Sequence, residues 1–148
     1  MKKIKPGHDY IGVGGGVFIF NKKKEVLLMK RAGEVRNESG WWSKPGGKVS
    51  YGEKTMNAMK REIKEELGVE IDIWGLLPHT DHIIKKENQH WVAINYLADI
   101  KSGEPKIMEP HKCEEIGWFK INKLPSKTTQ TTKEPARYFL EKKYIKLK

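Results

Sequence analysis

A mixed α+β sandwich is the fold class this sequence predicts, and three observations lead there. β-like runs stand on both sides of one amphipathic helix, they do not alternate with helices as a doubly wound sheet requires, and no internal repeat is present. A chain of 148 residues suits a single domain over 1–148 with one continuous core.

The elements follow in order. Tyr10 to Phe20, "YIGVGGGVFIF", ends in an apolar run, meets the polar "NKKKE" and resumes as "VLLMKR", which predicts a hairpin. "NESGWWSKPGG", from Asn37, has the glycine and proline density of a loop, with room for a short strand at the tryptophans. Lys54 to Leu67 lacks both Gly and Pro, and Met56, Met59, Ile63 and Leu67 recur at helical spacing until Gly68 stops the run. "VEIDIWGLL" (69–77), "HWVAINYLADI" (90–100) and "EEIGWFKI" (114–121) read as strands, and "EPARYFLEKKYI" (134–145) as a closing helix.

Composition narrows the function. The formal net charge of +10 favours anionic partners such as phosphorylated metabolites or nucleic acid, although most lysines outside the motifs read as solvated surface. Cys113 is the only cysteine, so neither an intrachain disulfide nor a cysteine-rich zinc site can form. The lysines of "MKKIKPGHDY" lack the apolar stretch of a signal peptide, and no window approaches a membrane span, so a cytoplasmic location and no membrane partner are expected.

"REIKEELG" is the densest acidic stretch. At roughly 100° per residue, Glu62, Glu65 and Glu66 fall within about 100° of arc beside the stripe centred on Ile63. Like charges at such spacing repel, and burial beside a core raises the cost. Arg61 and nearby lysines neutralise them in one reading. In the other, a divalent cation does, since Mg²⁺ and Mn²⁺ prefer carboxylate oxygens and keep positions open for phosphate.

The surrounding "GGKVSYGEKTMNAMKREIKEELGV", Gly46 to Val69, resembles the box of the Nudix hydrolases, G-x5-E-x7-R-E-U-x-E-E-x-G-U with U aliphatic. Gly47, Glu53, Arg61, Glu62, Ile63, Glu65, Glu66, Gly68 and Val69 meet it at every position, over 47–69. The resemblance implies a Nudix-type α/β/α sandwich with a mixed sheet, and Mg²⁺ or Mn²⁺ held by Glu62 and Glu66, with Glu65 assisting and a carbonyl at Gly46 nearby. It also implies a supporting pair, Glu53 with Arg61, and places Gly47 beside the substrate. Glu62 is the first choice for the base that takes a proton from water, with Glu65 and Glu109 as alternatives.

Outside the box the signals are weaker. "SGEPKIMEPHKCEEIGWF" is similar to a segment of the small MutT-like nucleoside triphosphate pyrophosphohydrolases in which an acid after "GEP" reaches the metal, and here that acid is Glu109. Arg31 stands where many members have a phosphate-binding arginine. Trp42 matches the usual aromatic before Pro45, and Trp41 or Trp42 offers a face for a base. Lys44 stands where the family usually has an apolar residue, a departure that alters packing or adds a phosphate contact. "GVGGG" lacks the ending of a phosphate loop and reads as strand. His79, His82, His90 and His111 show no zinc spacing.

For substrate, a downstream proline typical of ADP-ribose hydrolases would fall near Ile83 or Ile84 and is absent. With the "GEP" likeness, this favours a nucleoside triphosphate cleaved to monophosphate and pyrophosphate. Lys133 stands where MutT-type enzymes read an oxidised purine through asparagine, so oxidised dGTP is not the expected substrate. Cleavage of a nucleotide sugar of the ADP-ribose type is the alternative, and a Nudix-like module binding nucleic acid or nucleotides is the non-enzymatic one, which needs no intact glutamate set. A nucleotide is the expected partner, nucleic acid is not, and a homodimer stays open.

Overall fold

A computed structural model describes residues 3–33 and 39–147; residues 37 and 38, which open the predicted loop, lie outside that set. Its strands are β1 (Gly12–Phe20), β2 (Glu25–Arg31), β3 (Trp42–Ser43), β4 (Gly46–Lys48), β5 (Glu70–Ile84), β6 (Gln89–Ser102), β7 (Cys113–Lys120) and β8 (Ile145–Lys146). The two α-helices are α1 (Thr55–Leu67) and α2 (Gln130–Leu140). The sheet runs β3-β2-β1-β6-β5-β8, with β4 also paired to β1 and β7 to β2. β1 and β6 are parallel and the remaining pairs antiparallel, so the sheet is mixed as expected.

Alternation along β1 sends Val17 and Ile19 to one face and Phe18 to the other. The first pair joins Met59, Ile63 and Leu67 of α1 in one core, while Phe18 joins Leu97 and Ala136 of α2 in a second. The sheet is therefore the middle layer between two helices. Each fully buried Ile or Leu here stabilises the fold by about 1.5–3 kcal/mol.

Two elements differ from the sequence reading. β5 continues past Leu77 to Ile84, because a register shift between Leu77 and Thr80 accommodates Pro78, which has no N–H to give the ladder. Asn95 of β6 braces the bulge, donating from Nδ2 to the Pro78 carbonyl (3.1 Å) and to Thr80 Oγ1 (3.2 Å). The closing helix spans Gln130–Leu140 rather than 134–145, with Pro135 inside it, and Ile145 begins β8 against β5. Thr129 starts the helix: its carbonyl accepts the N–H groups of Thr132 and Lys133. No described helix is long and apolar enough to cross a membrane.

Candidate active site

α1 carries the acids because its apolar stripe is anchored. Met59, Ile63 and Leu67 are buried against the sheet, and Gly68, at φ 71°, ends the helix in the left-handed region with its N–H on the Lys64 carbonyl. Glu62 and Glu66 lie one turn apart at the rim of that stripe. The β4 segment passes over them: the Gly46 N–H donates to Glu66 Oε1 at 3.1 Å, and a Cβ on Gly47 would fall on the Glu62 carboxylate. Gly46 in turn crosses the backbone of Gly15 in β1, where a Cβ would meet the Gly15 carbonyl.

Arg61 organises the acids on its side of the helix, Glu62 among them. Its fork holds Glu53 through Nε (2.7 Å) and Nη2 (3.0 Å), while Nη1 reaches Glu62 at 3.1 Å and Glu65 at 3.3 Å. Nη2 also donates to the Lys48 carbonyl, tying the helix to β4. The guanidinium bonds and the Ser50 N–H hold the Glu53 carboxyl down at about 2, and Glu53 in turn raises the Arg61 pKa. Glu65 is half exposed and turned to Arg61.

Glu62 and Glu66 behave differently. Burial raises both carboxyl groups, and Glu66, further pushed by the neighbouring Glu62 and Glu109, rises to about 8 despite its bond from Gly46. Glu109 is brought close by its loop, which docks on the end of α1 through Lys106 N–H to the Leu67 carbonyl and Met108 N–H to the Glu66 carbonyl. Its carboxylate lies 3.7 Å from Lys112 Nζ.

The site thus pairs Glu62 with Glu66 and sets Glu65 and Glu109 at its margins. Among the described residues, no three His, Cys or carboxylate side chains converge as a self-contained metal cage. Two desolvated carboxylates still fit Mg²⁺ or Mn²⁺, because such ions are bound through one or two protein carboxylates, with waters and phosphate oxygens completing the shell. Burial beside Glu62 disfavours a second negative charge at Glu66, a cost that a bound cation would offset.

Next to Glu66 lies a cavity of about 280 Å³ lined by Met29, Arg31, Ser43, Lys44, Gly46 and Lys112. Arg31 and Lys44 therefore come to the same place as Glu66. Lys112 was missed by sequence reasoning, since only the register of β7 on β2 brings it there: the Ala32 N–H donates to its carbonyl. Trp42 is half-buried with its ring edge on Phe119, centroids 5.0 Å apart, and lines neither this cavity nor the next.

The Lys44 stem lies over Gly16, where a Cβ would strike it. Beyond it a second cavity of about 370 Å³ is lined by Gly14, Gly47, Lys48, His82, Gln89 and Trp91. Burial pulls the Lys44 ammonium down to about 7. Burial and Lys44 together pull His82 down to about 4, leaving a neutral ring bonded to Thr80 Oγ1 at 3.0 Å. Trp91, the aromatic wall of this cavity, packs over Gly7 and Gly12, and nothing in the periodicity of β6 distinguishes it from a core residue.

Comparison with known proteins agrees with this architecture. The chain matches the family model of the NUDIX domain over residues 11–142. It is 32% identical over 113 residues to the 8-oxo-dGDP phosphatase NUDT18 of Danio rerio, covering 74% of this chain and 33% of that protein. It is 32% identical over 118 residues to an ADP-ribose pyrophosphatase of Methanocaldococcus jannaschii, covering 80% of this chain and 66% of the relative. The chain thus spans a third of the first relative and just under two thirds of the second. The crystal structure of a MutT NUDIX hydrolase from Burkholderia pseudomallei superposes with a TM-score of 0.80 at 40% identity, covering 86% of this chain and 97% of that one. Sequence model, box and sheet topology converge, and the chain belongs to the NUDIX family.

Proposed function

We propose that this protein is a divalent-metal-dependent pyrophosphohydrolase that cleaves the diphosphate linkage of a nucleoside diphosphate derivative, with nucleoside triphosphates going to monophosphate and pyrophosphate as the first substrate class. One observation carries the reading: Glu66, buried beside Glu62, lines a cavity whose other walls bear Arg31, Lys44 and Lys112. Acids on one wall and cations on the other fit a metal ion and the polyphosphate that it carries.

Bound Mg²⁺ or Mn²⁺ supplies neutralisation of the charge on the diphosphate oxygens. The residues supply the rest. Glu62 takes a proton from the attacking water, whose oxygen lone pair forms the new P–O bond as the anhydride P–O bond breaks and its electrons leave with the departing phosphate. Arg61 holds Glu62 in place and keeps Glu53 ionised. Arg31, Lys44 and Lys112 receive phosphate oxygens, and the Trp91 cavity receives the remainder of the nucleotide.

Cleavage of ADP-ribose is the second reading, favoured by the archaeal relative named for it. A panel of nucleoside triphosphates, nucleotide sugars and dinucleotides with Mg²⁺, its products identified by phosphorus NMR, tests both. Pyrophosphate released from a triphosphate supports the first reading, AMP and a ribose phosphate from ADP-ribose supports the second, and no turnover of any compound overturns both.

A further inference from the structure

A sizeable cavity lies away from the acidic site. About 550 Å³ in volume, it is enclosed by the β1–β2 turn, Trp74 of β5, the stretch after β7 and the C-terminal end of α2. None of its lining residues belongs to the site described above. Its size falls in the range of small-molecule sites, roughly 300–1,000 Å³.

The floor is aromatic. Phe20 lies 5.9 Å from Trp74 and 5.3 Å from Phe139, centroid to centroid, and Ile121 and Leu140 complete the apolar part. The rim is cationic: Lys23, Lys24 and Lys120 line it. Asp99 is the single carboxylate among the lining residues, and it is engaged, accepting from Trp74 Nε1 at 3.1 Å.

The turn fixes where one of these lysines stands. Asn21 builds it, accepting at Oδ1 from the N–H groups of Lys23 and Glu25, both at 2.9 Å. Lys24 then sits at φ 61°, in the left-handed region that glycine or asparagine occupies more favourably. Lys24 thus stands at the cavity mouth in a tight-turn conformation that Asn88 and Lys142 also adopt in their own turns.

We propose that this cavity is a second ligand site, for a planar aromatic ring bearing a phosphate or carboxylate: the ring lies among Phe20, Trp74 and Phe139, and the anion is held by Lys23, Lys24 and Lys120. Aromatic faces supply contact area, and lysines supply charge without demanding bidentate geometry. The assignment does not depend on the catalytic reading.

1-Naphthyl phosphate is a suitable probe, followed by ¹⁵N-correlation NMR. The Trp74 indole N–H signal should shift on titration while that of Trp91 stays in place. The double variant K24E/K120E should weaken binding at least tenfold, whereas K101E/K127E, with the same net charge, should leave it unchanged. Lys24→Gly removes one cation where glycine suits the backbone, so it should weaken binding without lowering Tm. Absence of a Trp74 shift, a shift at Trp91 instead, or equal weakening by both double variants would overturn the proposal.

Discussion

The ammonium of Lys44 donates to the carbonyl oxygen of Thr131, and that carbonyl is the one which Pro135, lacking an N–H four residues later, cannot serve. A helix defect and a loop lysine complete one another, joining the segment before Gly46 to α2. The Lys44 N–H reinforces the join by donating to Thr132 Oγ1 at 3.0 Å.

Removing the ammonium should therefore expose the defect. Lys44→Met leaves the Thr131 carbonyl without a donor and is expected to lower stability by about 1–3 kcal/mol. Pro135→Ala restores a backbone N–H to that carbonyl, so the double variant should lose less than the sum of the singles. Urea unfolding of all four proteins measures the coupling; strict additivity would show that the two groups act separately.

Glu66→Gln should keep the fold and lose metal-dependent turnover by about 100-fold or more, the equivalent of several kcal/mol of charge stabilisation. Circular dichroism and kcat/KM with Mg²⁺ read the two effects. Undiminished turnover would remove Glu66 from the site.

The same residue sets a pH dependence. Its carboxyl rises from 4.5 to about 8 in the folded, metal-free chain, so the folded state holds the proton more tightly than the unfolded one. That contribution to stability is complete below pH 4.5 and is lost as pH climbs through about 8. Between pH 5 and 8 the Tm of the metal-free protein should fall relative to that of Glu66→Gln, while Mn²⁺ affinity rises as the proton leaves. Parallel Tm curves for the two proteins would contradict this account.

Arg61→Lys keeps a charge but loses the fork that grips Glu53 while touching Glu62 and Glu65. An orienting residue of this kind is expected to change kcat by about 10–100-fold, with substrate affinity nearly unchanged. Single-turnover kinetics separates the two terms, and a pure loss of affinity would place Arg61 on the substrate instead.

The acidic half of the site was legible in the sequence because it is local. Helical periodicity alone sets Glu62 and Glu66 on one face, and Gly47 needs only the approach of a neighbouring turn. The cationic half was partly legible: Arg31 stands at a matched position and Lys44 is conspicuous as a departure from the family pattern, but Lys112 reaches the cavity through strand register, which no local pattern encodes. Trp91 escaped because a tryptophan in a β-run reads as core. The start of α2 was misjudged for a specific reason: Pro135 resembles a first-turn proline, and its true place inside the helix depends on a distant lysine.

The parallel pairing of β1 with β6, Gly12 opposite Trp91 through Phe20 opposite Asp99, carries a consequence for how the chain reaches this state. Before the later strand arrives, Gly14, Gly15 and Gly16 have a neighbour in β4 alone, and the opposite side of β1 is an open edge. Closing that gap requires a long excursion of chain, the kind of non-local contact that slows folding. A partly made molecule would display an unpaired apolar strand to its neighbours. The glycines over which Gly47, Met59 and Lys44 pack are thus also the weak seam in assembly, and refolding yield should depend on protein concentration until that seam has closed.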